Sequence, residues 1–149
     1  MYGDFQCPYC TAAYPILQRV RDQLAGRLIF GFRHFPLRDV HPDAERAAEA
    51  AEAAAAQGAF WQMYNRMYEA RGALGRDDLI GYARDLGLDA DRVAAELDSS
   101  AHAPRVERDV QSGTASGVMG TPGFFIGGRM HDGSFDAGSL IAALEASSA

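Results

Sequence analysis

The sequence predicts an α/β domain in which a β-α-β unit and a β-hairpin-α unit flank a block of helices. Three observations predict it. A β-rich run at Leu28–Phe35 follows the first helical stretch; a tract from about residue 43 to 116 has helical periodicity and no strand signal; and Gly127-Gly128 separates two short runs of strand character near the end.

Met1 to Phe5 reads as the tail of a strand. A helix begins at Cys7, with Pro8 suited to the first helical position, and Cys10, Ala13, Tyr14, Leu17, Val20 and Leu24 keep helical spacing. Pro15 falls inside that pattern, where its missing amide is expected to bend the helix near Thr11, and Gly26 marks the exit. Leu28–Phe35 is then a strand ended by Pro36, and its place after a helix implies parallel pairing with the first strand. His41-Pro42-Asp43 opens an alanine-rich helix to about Ala56, and Gln57-Gly58 interrupts it. Phe60, Trp61, Tyr64, Met67 and Tyr68 resume the periodicity and read as core. Further helices are expected at Arg76–Leu86, before the stop at Gly87, at Ala90–Leu97 after Asp89, and at Pro104–Ser116. Thr121 to Gly128 returns to strand character, a tight turn leads into Met130-His131, and Ala137–Ala146 closes the chain as a helix.

With 149 residues the chain is expected to form one domain, 1–149, large enough to bury most of its unfolded surface. Hydrophobic residues at 48% and charged residues at 23% are those of an ordinary globular protein. Twenty acidic residues against fourteen arginines give a net charge of −6, and no basic run marks a nucleic-acid surface. No apolar stretch approaches the ~20 residues of a membrane helix, so membrane insertion is not expected. A secretory leader pattern is missing, so the chain as it stands reads as cytoplasmic, and as periplasmic or otherwise extracytoplasmic if a leader lies outside it.

Both cysteines fall in one Cys7-Pro8-Tyr9-Cys10 motif at a helix start. That spacing puts the sulfurs about one turn apart, within the ~4.4–6.8 Å Cα separation of an unstrained disulfide. Cys7 faces unpaired backbone N–H groups and the positive end of the helix dipole, which favour its thiolate and make it the nucleophile. Cys10 lies a turn further in on the core-facing stripe, suited to resolving a mixed disulfide. A zinc site would need two of His34, His41, His102 and His131 as further ligands, and their spacing fits no finger, so no metal is expected. No other cofactor is expected beside the cysteine pair. His34 reads as a strand-end residue and His41 as a residue at a helix start, neither of them catalytic.

Four blocks carry a resemblance. Tyr2-Gly3-Asp4-Phe5-Gln6-Cys7-Pro8-Tyr9-Cys10, Phe32-Arg33-His34-Phe35-Pro36-Leu37, Gln57-Gly58-Ala59-Phe60-Trp61, and Gly117-Val118-Met119-Gly120-Thr121-Pro122-Gly123-Phe124-Phe125-Ile126-Gly127-Gly128 resemble, in order, the bacterial DsbA-like thioredoxin family. The resemblance implies a thioredoxin-like fold with a helical insertion at about 43–116. It also implies a thiol–disulfide oxidoreductase acting on protein or peptide thiols and disulfides, with a redox partner protein. By the same resemblance Thr121-Pro122 is a cis-proline loop beside the cysteines, where Thr121 backbone, Pro122, Pro8 and Tyr9 would meet an extended substrate peptide. A glutathione-linked reductase of the same fold shares the Pro-Tyr dipeptide but is shorter and lacks the helical block, and a related isomerase generally carries serine where Cys7 stands. A redox-inert peptide-binding or chaperone module would use the same groove without the sulfur chemistry.

Relatives have a full strand ahead of the motif, often with an acid six residues before the first cysteine, a position held here by Met1. The first strand is therefore expected to be truncated. Either the natural start lies upstream, or another segment fills the slot, for instance by strand exchange in a homodimer. Asp4 is the one nearby carboxylate that could stand in for the missing proton acceptor.

Overall fold

Pro8, with φ already fixed and no amide hydrogen to leave unpaired, starts the first helix, α1 (Pro8–Gln23), and Cys7 precedes it in extended conformation. The computed structural model describes residues 1–148. α1 continues through Pro15 and turns out at Gly26, whose φ of +77° is the left-handed conformation that glycine adopts without strain. Ala13, Leu17, Val20 and Leu24 line one face of the helix. They pack with Phe124 and with Leu140 of α7 (Ala137–Ser147).

The strands are shorter than the sequence pattern predicts. β1 is Tyr2–Gly3 and pairs in parallel with β2, Arg33–His34. Leu28 to Phe32, predicted as part of the same strand, is extended chain without a ladder, because β1 presents only two residues for pairing. On its other side β1 meets the segment that carries the Thr121-Pro122 loop. Tyr2 and Gly123 exchange both backbone hydrogen bonds, Tyr2 N–H to Gly123 O at 2.7 Å and Gly123 N–H to Tyr2 O at 2.9 Å. β1 is therefore the central element that holds the two halves of the fold together. The predicted hairpin forms between β3 (Phe125–Ile126) and β4 (Arg129–Met130), and both turn glycines take positive φ.

The helical block comprises α2 (Ala44–Ala55), α3 (Phe60–Glu69), α4 (Arg76–Asp85), α5 (Ala90–Asp98) and α6 (Ala103–Ala115). α2 packs against α3, α5 and α6, and its alanines supply the reason, since Ala47, Ala50, Ala51 and Ala54 present only methyl groups and let neighbouring helices come close. α6 lies across β2. Gly113 permits this approach, since a Cβ there would stand 2.7 Å from Phe35 Cδ2.

Phe5, Phe32, Tyr64 and Tyr68 form an aromatic cluster that ties the loop before Cys7 to α3, with ring centroids 5.0 Å apart for Phe5 and Tyr68 and 5.2 Å for Phe5 and Phe32. Tyr64, Met67 and Tyr68 are buried, in agreement with the core reading. Trp61 is the exception. It is 36% exposed, with the Arg21 guanidinium carbon 5.3 Å from its ring centre, so a cation covers the face that the helical spacing assigns to the core.

Candidate active site

Three segments converge on the cysteines: the turn from Asp4 to Cys7, the first turn of α1, and the loop around Thr121. Both cysteines are free. Cys10 is fully buried on the core face of α1, as the periodicity predicts. Cys7 is only 2% exposed, so the chain encloses it more than its place at a helix start suggests. Its sulfur lies 3.5 Å from the Thr121 carbonyl oxygen. The Thr121–Pro122 peptide bond is cis. Pro8 is exposed, Tyr9 is 67% exposed, and Met119, just ahead of the cis bond, is 95% exposed. The buried Cys7 is thus followed in sequence by exposed Pro8 and Tyr9, and the loop that meets its sulfur carries exposed Met119. The site residues read from the sequence, Cys7, Pro8, Tyr9, Cys10, Thr121 and Pro122, all belong to these segments.

The two thiols are set far apart in acidity. Cys7 is lowered to about 5. The largest cause is a hydrogen bond from the Cys10 thiol, and burial opposes it; Thr121 and the backbone N–H groups of Cys10 and Tyr9 add smaller contributions. The helix-start amides that the sequence points to therefore contribute less than the second sulfur. Cys10 is pushed far up, first by burial and then by its role as donor to Cys7. One hydrogen bond accounts for part of both shifts.

Asp4, buried beneath the turn, has its carboxylate fully engaged. Oδ1 accepts the N–H groups of Gln6 at 2.7 Å and Cys7 at 3.2 Å. Oδ2 accepts Leu37 N–H at 2.9 Å and lies 2.7 Å from His41 Nδ1. A carboxylate offers about four acceptor sites, and all four are occupied here. His34 is buried at the strand end, with Nε2 2.7 Å from Glu52 and its N–H donated to Asp109. His41 does more than start a helix, because it reaches back 37 residues to Asp4. Sequence reasoning missed this contact. The only local signal was an aspartate three residues before Cys7, where a side chain can accept backbone N–H groups in a turn.

Among the described residues no cluster of three or more His, Cys, Asp or Glu side chains is placed to hold a metal ion, and no helix is long and apolar enough to cross a membrane.

The pattern of the DSBA-like thioredoxin domain matches residues 1–145. In sequence the chain is similar to a protein named Na(+)/H(+) antiporter NhaA 1 from Salinispora arenicola, with 46% identity over 143 residues. The match takes in 96% of this chain but 22% of that protein, so the chain spans less than a quarter of this relative's length. In structure it is similar to a thioredoxin-like oxidoreductase from Silicibacter pomeroyi, at a TM-score of 0.86 and 22% identity over 99% of this chain and 83% of that one. Oxidised BdbD from Bacillus subtilis superposes at a TM-score of 0.88 with 18% identity, over 98% of this chain and 84% of that one. These likenesses extend over both the β-α-β half and the hairpin half, with the helical block between them.

Proposed function

The chain belongs to the DSBA-like thioredoxin domain family, and from that premise we propose that it is a thiol–disulfide oxidoreductase that exchanges disulfides with protein or peptide substrates through Cys7 and Cys10. The observation that carries this reading is the unequal placement of the pair: Cys7 precedes α1 with its sulfur 3.5 Å from the Thr121 carbonyl oxygen beside the cis bond, while Cys10 is fully buried, which favours a thiolate at Cys7 and a thiol at Cys10. A zinc ligand pair or two inert core thiols would have no use for that asymmetry.

The Cys7 thiolate attacks one sulfur of a substrate disulfide. A Cys7–substrate bond forms, the substrate S–S bond breaks, and the second substrate sulfur leaves as a thiolate that takes up a proton. Cys10 then loses its proton and attacks the Cys7 sulfur, forming the Cys7–Cys10 bond and releasing the first substrate sulfur. The substrate is reduced by two electrons and the pair is oxidised by two; run backwards, the same steps oxidise a substrate dithiol. The order of events has a physical basis. Part of what holds the proton on Cys10 is its hydrogen bond to Cys7 and the charge there, and both end once Cys7 is bonded to substrate. Cys10 therefore becomes a better nucleophile at the moment it is needed.

Pro8, Tyr9, Thr121 and Pro122 form the substrate contact surface in this reading, with Thr121 backbone beside Cys7 offered to an extended peptide. The test is insulin reduction in the presence of a small dithiol. The protein is expected to accelerate precipitation of the insulin B chain well beyond the dithiol alone. A rate indistinguishable from the dithiol alone, at protein concentrations of tens of micromolar, would refute the proposal.

A further inference from the structure

We propose that Asp4 and His41 are positioning residues for this exchange, clamping the turn that presents Cys7 to the loop between β2 and α2. The proposal rests on the reading of Cys7 as the attacking thiol. It concerns residues outside the Cys7-Pro8-Tyr9-Cys10 motif and the Thr121-Pro122 loop.

The geometry has four parts. First, the turn Asp4–Phe5–Gln6–Cys7 is held by its own first residue, because the Cys7 amide lies 3.2 Å from both the Asp4 carbonyl oxygen and Asp4 Oδ1, and Gln6 N–H is 2.7 Å from Oδ1. Secondly, the other carboxylate oxygen leaves the turn and binds the 37–41 segment through Leu37 N–H and His41 Nδ1. An acceptor-only carboxylate requires that His41 donate at Nδ1. Thirdly, Gln6 repeats the connection next door, with its Oε1 accepting Asp43 N–H at 2.8 Å. Fourthly, the Tyr68 hydroxyl donates to the Asp4 carbonyl oxygen at 3.4 Å, so the clamp is braced from α3 as well.

The consequence for the chemistry follows from which amides are engaged. Gln6 and Cys7 N–H are committed to Asp4, while Cys10 and Tyr9 N–H are among the groups that favour the Cys7 thiolate. The clamp fixes the backbone at Cys7 so that its sulfur meets the second set and the Cys10 thiol. His41 has a second effect, because its Nδ1–H directs a positive dipole at a buried negative charge adjacent to the Cys7 amide. Without that donor, Asp4 would act on the thiolate with less compensation. The thiolate would be less stable and the equilibrium of the pair would move toward the disulfide.

The test compares His41→Phe, which keeps a ring but has no donor, with His41→Gln, whose amide can still donate to Asp4. Two quantities are read: the equilibrium of the Cys7–Cys10 pair with glutathione, and the pH midpoint of Cys7 alkylation. For His41→Phe the equilibrium is expected to move about tenfold toward the disulfide, about 30 mV, with the alkylation midpoint moving to higher pH. His41→Gln is expected to stay within about threefold of the parent. Thermal unfolding of the same samples separates this from simple destabilisation, which would lower the melting temperature and leave both readouts in place. If His41→Phe does not fold, His41→Ala serves the same comparison. A donor-less variant with the parent's equilibrium and midpoint would overturn the proposal, and so would His41→Gln shifting as far as His41→Phe. Absence of any exchange by the parent protein would instead refute the functional reading, and this inference with it.

Discussion

Alkylation of the fully reduced protein by iodoacetamide is expected to modify one sulfur, Cys7, with a rate that rises through a midpoint near pH 5 and is level above about pH 6.5. The midpoint follows from the pKa of Cys7, lowered to about 5 against ~8.5 for an unperturbed cysteine. At pH 6 roughly nine-tenths of Cys7 is thiolate, against about 0.3% of a free cysteine. The rate advantage is smaller than that ratio, on the order of tenfold at pH 6. Nucleophilicity falls with pKa, with a Brønsted slope of about 0.4–0.5, and the low exposure of Cys7 reduces it further. The midpoint is unaffected by either correction. Above about pH 7 the comparison reverses, and free cysteine is expected to react faster than Cys7. Cys10 is expected to stay unmodified throughout, because burial and its hydrogen bond to Cys7 hold its proton. A single midpoint near pH 8.5, or equal labelling of both sulfurs, would contradict the assignment of roles.

The second large effect separates the two cysteines by substitution. Cys7→Ser is expected to abolish insulin reduction, since a serine hydroxyl is no thiolate and Cys10 is fully buried. Cys10→Ala is expected to abolish turnover in another way, by leaving the mixed disulfide without its intramolecular exit. Incubated with an oxidised peptide, Cys10→Ala should accumulate a covalent adduct at Cys7 that a reductant releases, visible by mass spectrometry as the protein plus one peptide. The Cys7→Ser variant should give none. Cys10→Ala also removes the largest cause of the low pKa of Cys7, so its alkylation midpoint is expected to rise above that of the parent. An adduct on Cys10 in Cys7→Ser, or turnover by either variant at the parent's rate, would reverse the assignment.

Helical elements and the cysteine pair were largely legible in the sequence, for a shared reason. Both are local signals, a period of 3.6 residues in one case and a three-residue spacing at a helix start in the other. The helices of the block fall within one or two residues of their expected ends, because Asp89, Gly87 and Gly58 act through nearby backbone. Strand extent was not legible. Leu28–Phe35 has the composition of a strand throughout, but a ladder also needs a partner, and β1 supplies one only at Arg33–His34. The burial of Trp61 was misjudged because the spacing of apolar residues carries no information about Arg21, forty residues earlier.

The least legible part of the site is the clamp under Cys7. Asp4 is close in sequence, yet its second oxygen is occupied by groups 33 and 37 residues away. No periodicity connects an aspartate before one helix with a histidine before another; the tertiary fold brings them together. The same holds for Thr121, 114 residues from Cys7, which the resemblance placed correctly beside the pair while composition and spacing alone did not.

Disulfide exchange through Cys7 and Cys10 is open to a redox titration of the protein in glutathione buffers at pH 7, with the oxidised product mapped by mass spectrometry. One two-electron transition and an intramolecular Cys7–Cys10 bridge are the expected result. A Cys7 held near 5 stabilises the reduced form at neutral pH, so the potential is expected near −200 mV, between about −270 mV for thioredoxin, with its thiol near 7, and about −120 mV for DsbA, with its thiol near 3.5. Failure to form the bridge under oxidising conditions, or oxidation that yields only intermolecular disulfides, would contradict exchange through that pair.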